Sequence, residues 1–242
     1  MFTRCGKRGV FFAATRQRSK GVTRVITKVF FPAYKVQNLR GPTYTNKGGL
    51  RLRQARVRGK LLDRQLAKVV GDRLLLAPPP RACEETKQII AFIRTHGYYI
   101  EHAQYAVGYA PWRLATDIDL ILRPVVGDSH RIVVEVKRGC LYRRQIVPNA
   151  TSQCLETVVN VSPLHVHQLQ ALIGKRLLEL CDTTAVHIAG VWLLYVDLLH
   201  GVERIEEKDF GVQWSKRSEQ ALQATAGHPA KKKKGKRLHA KR

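Results

Sequence analysis

Carboxylates are scarce in this 242-residue chain, and its first quarter has none. The first is Asp63, and Asp and Glu number 18 against 43 Lys and Arg, for a net charge of +25. So large an imbalance argues against a cationic partner and for a polyanion, nucleic acid being the commonest. Cysteine is thin as well. Cys5, Cys83, Cys140, Cys154 and Cys181 are odd in number and form no C-x-x-C pair. Neither a zinc ribbon nor a disulfide framework is indicated, and a reducing compartment is expected. Long apolar runs are missing. The best, around Val186 to Leu199, is broken by His187 and Asp197, so no membrane partner is expected. The N-terminus lacks the compact apolar block of a secretory signal. What the chain does have is 44% hydrophobic residues, enough for a real core in one large domain or two small ones.

Residues 1 to about 45 are rich in Arg, Lys, Ser and Thr. They have two readings: a mitochondrial presequence, or a basic arm that lies on phosphates. Within them Val25, Ile26, Val29, Phe30 and Phe31, ahead of Pro32, predict a short ordered element. From about Leu50 to Val70 the pattern is helical. Leu62, Leu66, Val69 and Val70 share one face, and Gly71 is a natural stop. The other faces carry Arg51, Arg53, Arg56, Arg58, Lys60, Arg64 and Lys68, with Asp63 as the one acid. A solvated face ordinarily mixes signs, so a one-sign face predicts a helix lying against phosphates.

Pro78, Pro79 and Pro80 read as a stiff linker. A second helix is predicted from about Arg81 to Thr95, with Ile89, Ile90, Phe92 and Ile93 inward, and Tyr98 to Tyr109 then reads as a strand. Pro163 opens a third helix to about Leu180, with Leu169, Leu172, Ile173 and Leu177 inward. Residues 185–198 read as a buried strand, and a last short element ends near Trp214. The terminal run, which begins with Lys231, Lys232, Lys233 and Lys234, has no apolar periodicity and is expected to be disordered. It suits a nuclear localisation signal, a non-specific DNA anchor or a plain solvated tail. The expected organisation is a basic arm over 1–45, a folded domain over 46–215 and a basic disordered tail over 216–242.

The chemistry concentrates between Trp112 and Gly139. Two apolar runs, Ile118 to Leu122 and Ile132 to Val136, flank Gly127-Asp128-Ser129 and predict a hairpin. Asp117 and Asp119 fall on one face of the first strand, Glu135 and Lys137 on one face of the second. A carboxylate in a half-buried strand is costly without a cation or hydrogen bonds. Three carboxylates and a lysine on one hairpin therefore suggest a divalent metal site, and oxygen ligands suit Mg²⁺ or Mn²⁺. An E-x-K triplet alone means little. Glu85-Lys87, Glu135-Lys137 and Glu206-Lys208 all match, and roughly one match is expected by chance. Of these, Glu135-Lys137 lies in an apolar strand that follows an aspartate-bearing strand. A structural ion pair is the plain alternative for these residues.

The order helix, strand, Asp-bearing strand, E-x-K strand, helix, strand resembles the core of the PD-(D/E)XK nuclease superfamily, in its RecB and lambda-exonuclease form. The matching stretches are Arg58-Gly59-Lys60-Leu61-Leu62-Asp63, Ile118-Asp119-Leu120-Ile121, Val133-Val134-Glu135-Val136-Lys137 and His167-Gln168-Leu169. The pattern departs at Thr116, where relatives have Gly, at Leu172, where they have Tyr, and at Asp63, where they have Glu or His. The resemblance implies an α/β, restriction-endonuclease-like core: a mixed sheet of at least four strands flanked by helices. It implies Mg²⁺-dependent cleavage of DNA, with RNA as an alternative substrate, by an exonuclease or end-processing enzyme of replication, recombination or repair. Asp119, Glu135 and the backbone carbonyl of Val136 would hold the metal, with Asp63 or Asp117 as a further ligand. Lys137 would orient water or steady the phosphate, and Gln168 would hold water or backbone. His165 and His167 lack a third partner and are read as non-ligands. A four-way-junction endonuclease, and a non-catalytic basic protein such as a ribosome-associated one, are the rival readings. The nucleus or the mitochondrion is the expected compartment.

Overall fold

The computed structural model describes residues 2–4, 10–12, 20–32, 48–72, 78–127, 130–138, 161–181 and 187–226, with single positions at 144, 146 and 155. Strands β1 (Phe2–Arg4) and β2 (Val10–Phe12) form a small antiparallel ribbon of their own. Then come β3 (Lys20–Gly21), α1 (Val22–Val25) with a wider turn over Ile26–Phe30, α2 (Gly48–Leu66) and α3 (Glu84–Thr95). Strands β4 (Tyr98–Tyr109), β5 (Leu114–Pro124) and β6 (Arg131–Arg138) follow. Helix α4 (Pro163–Cys181), β7 (Ile188–Asp197), β8 (Gly201–Glu206) and α5 (Lys216–Ala226) complete the order.

The main sheet has six strands and is mixed. β4 and β5, β5 and β6, and β7 and β8 are antiparallel, whereas β6 and β7 run parallel. β6 is buried on both faces, which is why Ile132, Val133 and Val134 are an unbroken apolar run. On one face the Ile26–Phe30 turn, α4 and α5 supply Ile26, Phe30, Leu169, Ile173 and Leu222 to a core that includes Val133, Val191 and Leu193. On the other, α2 and α3 supply Leu62, Leu66, Ile89 and Ile93 against Leu120, Leu122, Val134 and Leu194. The chain is thus α/β, as expected. Among the described residues no helix is long and apolar enough to cross a membrane.

The predicted hairpin is the β5–β6 pair, with Leu120 opposite Val134 and Leu122 opposite Ile132. Gly127, at φ +79°, opens its connection. Glycine occupies that left-handed region without the Cβ clash. The helix expected to run to Val70 ends earlier, at Leu66, and Gly71, at φ +79°, follows the turn that comes after it. His96-Gly97 stops α3, the Gly97 N–H donating to the Arg94 carbonyl at 2.9 Å. The four inward residues expected on α4 are all buried.

Four expectations need correction. Val70, placed on the inner face, is 41% exposed, because the chain has tightened into a 3₁₀ turn at Ala67–Val69 and left the helical phase. Residues 20–32 belong to the folded core and not to an arm outside it, and the short ordered element expected there is present over Val22–Phe30. Val22, Val25, Ile26, Phe30 and Phe31 are buried in the core, and two buried phenylalanines alone contribute about 3–6 kcal/mol of apolar transfer. The stretch 216–226 is not a disordered tail. It forms α5, with Leu222 and Ser218 buried and Arg176 Nε donating to Glu219 Oε1 at 2.6 Å. The last short element, expected to end near Trp214, is strand β8, which ends at Glu206 with a turn over Glu207–Asp209 after it. Residues 231–242, including Lys231 to Lys234, lie outside the described residues, as do the side chains of Arg51, Arg53 and Arg56.

Candidate functional site

The β5–β6 ladder stops at Leu120–Val134, before it reaches Asp119 and Glu135. From there the strands part, and β3 fills the next stretch of that edge by pairing with Leu114 and Ala115. It must lie on the β6 side, since β4 runs along the whole other edge of β5. Asp119 sits at the crotch of this fork. Its Oδ2 accepts the Val136 N–H at 2.9 Å, so the side chain replaces the strand carbonyl that β6 has lost. A backbone N–H near the sheet interior needs a partner, and a charged acceptor makes a stronger one.

Glu135, 4% exposed, stands opposite Asp119 across the fork. Lys137 Nζ is ion-paired to its Oε1, and Gln170 Nε2 of α4 donates to the same oxygen at 2.6 Å. Burial, then the neighbouring Asp119 charge, pushes the Glu135 carboxyl up to about 8, although Lys137 pulls the other way. Asp63 comes from α2, on the opposite face of the sheet. Burial and Asp119 push it up to about 6, and Lys137 opposes. Three carboxylates therefore share one ammonium, and two of them hold protons more tightly than usual. His167 lies against Tyr195, Nδ1 to the hydroxyl at 2.8 Å; burial, then Lys137, holds its imidazole well below the ordinary value. A neutral histidine at that place adds no further cation. The end of β6 is fixed by Arg138, whose Nε donates to the buried Glu85 Oε1 of α3 at 2.6 Å.

The fork brings together Asp63, Asp119, Glu135, Val136 and Lys137. It does not bring Asp117 or Gln168. Asp117 lies two residues before the crotch, and it is not a source of the Glu135 or Asp63 displacement. Gln168 points into the α4 core at 1% exposure, its Oε1 without a hydrogen-bond partner. Gln170, two residues on and about 200° round the helix, reaches Glu135 instead. Arg58, Lys60 and Arg64 are exposed on α2, the helix that delivers Asp63.

Sequence reasoning also missed Gln104. It lies in β4 at φ +50°, a left-handed conformation in mid-strand, and its Nε2 donates to Asp119 Oδ1 at 3.1 Å. A non-glycine residue there costs of order 1 kcal/mol or more and persists only when the surroundings impose it. The kink gives Asp119 a second donor, so both of its oxygens are held. Polarity in mid-strand was the one signal available for Gln104, and it is weak.

The donor set is all oxygen and carries excess negative charge, which suits a hard divalent cation such as Mg²⁺ or Mn²⁺. Among the described residues no three His, Cys, Asp or Glu side chains are arranged to hold an ion as they stand. The Lys137 ammonium is paired with Glu135 and offsets only part of the carboxylate charge. Comparison with protein-family models, with curated proteins and with solved structures found no match.

Proposed function

We propose that the chain is a metal-dependent nuclease that hydrolyses DNA phosphodiester bonds, built on a restriction-endonuclease-like core. The observation that carries this reading is the fork, where Asp119 caps the Val136 N–H opposite a buried Glu135 and beside Lys137. A purely structural ion pair explains neither the uncompensated carboxylates nor the broken ladder. Asp119, Glu135 and the Val136 carbonyl would hold Mg²⁺ or Mn²⁺, with Asp63 as a further ligand. The bound ion would supply Lewis-acid polarisation of the scissile phosphate and an activated water. Lys137 steadies negative charge developing on the phosphate. Gln104 and the Val136 N–H keep the Asp119 carboxylate aimed, and Gln170 does the same for Glu135. The basic face of α2, with Arg58, Lys60 and Arg64 exposed, supports a polyanionic substrate beside the site.

DNA ends in repair or recombination, in the nucleus or the mitochondrion, are the substrate and setting this reading favours. Junction cleavage and non-catalytic nucleic-acid binding are its rivals. The test is a Mg²⁺ titration of cleavage on labelled DNA with the wild type, Glu135→Gln and Asp119→Asn. Both variants should lose orders of magnitude in rate and keep DNA affinity. Equal activity in all three would refute the reading. Blunt, nicked and branched substrates then separate end-processing from junction cleavage.

A further inference from the structure

The left-handed Gln104 that aims Asp119 also rearranges its neighbours on β4. In a regular strand residues three apart point to opposite faces and stand about 10 Å apart. His102 and Tyr105 do neither. A register shift between Ile100 and His102, and the φ of +50° at Gln104, bring their rings together, with centroids 4.8 Å apart and planes tilted by 35°. Both side chains are exposed, Tyr105 at 38%. Ala106, exposed beside them, is too small to cover the rings.

The pair sits beside the fork. Ala103 is level with Leu120 and Tyr105 with Ile118, so Gln104 lies across from Asp119, one strand spacing of about 4.8 Å away. Val107 and Tyr109 pack in the core that α4 covers, and alternation puts Tyr105 on that side too. It is the side from which Gln170 reaches Glu135. A kink in an edge strand also blunts pairing with other sheets, but that role does not need two rings turned out to solvent. Phosphates do not select an aromatic pair; a flat ring does. In a substrate that bears phosphates the flat ring is a base, and an unpaired base offers its face. At ~3.4 Å of rise per nucleotide, the base that reaches the pair belongs to the nucleotide at the fork or to the next one.

Resting on the nuclease reading, we propose that His102 and Tyr105 form a stacking platform for one unpaired nucleobase beside the scissile phosphate. The test measures binding in a chelator, so that nothing is cut, of a fluorescent single strand and of an equally long strand that lacks every base. Wild type, His102→Ala/Tyr105→Ala and Tyr105→Phe are compared, with thermal melts to check that each is folded. The alanine variant should bind the intact strand about tenfold more weakly than wild type and the baseless strand equally well. Tyr105→Phe keeps the ring and should restore the intact-strand affinity. Equal losses on both strands overturn the platform, and so does a Tyr105→Phe as weak as the alanine variant. In Mg²⁺, one abasic residue next to the cut bond should slow wild type about tenfold and leave the already slowed alanine variant unmoved; equal slowing of both overturns the placement beside the scissile phosphate. A wild type that shows the base-dependent binding and never cuts removes the nuclease reading and leaves the platform. One that cuts, with binding indifferent to the bases, does the reverse.

Discussion

Replacing Glu135 by Gln should stabilise the metal-free protein while abolishing the proposed cleavage. In the fold the Glu135 carboxyl is pushed up to about 8 from an ordinary 4.5. Between those values the native state binds more protons than the unfolded chain, so stability falls as pH rises. It is fully present below about 4.5 and lost on passing through about 8. At about 1.4 kcal/mol per tenfold, complete ionisation costs at most about 5 kcal/mol. For a chain of this length that corresponds to a melting temperature roughly 10 °C or more lower at pH 9 than the same site would give uncharged. Glutamine keeps the shape and its oxygen still accepts from Gln170, while Lys137 keeps the carboxylates of Asp119 and Asp63 as company. Thermal melts of both proteins in a chelator, from pH 5 to 9, decide the matter. The wild-type curve should fall more steeply, and the variant should be the more stable at pH 8. Mg²⁺ should then raise the wild-type melting temperature and leave the variant unmoved. Parallel pH profiles would refute the idea that an uncompensated carboxylate is stored in the fork.

Three further outcomes follow from the geometry. Gln104→Gly should relieve the left-handed strain and release Asp119 Oδ1, so that melting shifts by less than ~4 °C while kcat drops about tenfold; an unchanged kcat counts against the positioning role. Gln168→Leu should raise stability by about 1 kcal/mol, because it removes a buried unpartnered oxygen, and leave cleavage intact, whereas Gln170→Ala should lower cleavage; chemical denaturation with an activity assay checks both. Lys60→Ala/Arg64→Ala should flatten the dependence of log affinity on log salt by about 2, close to 0.9 per lost phosphate contact, without changing the melting temperature.

The hairpin could be read from the sequence because alternation, β-branched runs and a glycine turn all agreed. Asp119 could be preferred to Asp117 by motif spacing, but the physical reason is tertiary: Asp119 meets the strand end where β6 stops pairing. Gln168 went astray although a signal was present. It lies one turn before Leu172, which the same periodicity had put inside, so its side chain had to be buried too. Gln170 had no such mark. Strand β8 hid because each of its six residues is half-buried, giving no clean alternation. Helix α5 hid because Leu222 is its one large apolar residue, and the charge bias of the region outweighed it. Gln104 was beyond reach, since a left-handed glutamine in a strand follows from packing around it and not from propensity.

The core that Val22 opens is closed by Leu222, about 200 positions later, with α5 resting on the Ile26–Phe30 turn. Such long-range closure slows folding, because much chain entropy must be lost before those contacts repay it. During synthesis Phe30 and Phe31 emerge well before α4 and α5, the helices that cover them. The waiting segment is apolar, cationic and free of acidic residues. Until α4 is made, the nascent chain thus presents a sticky, positively charged handle. Its yield in a cell should depend on chaperone capacity more than the finished fold's stability would suggest.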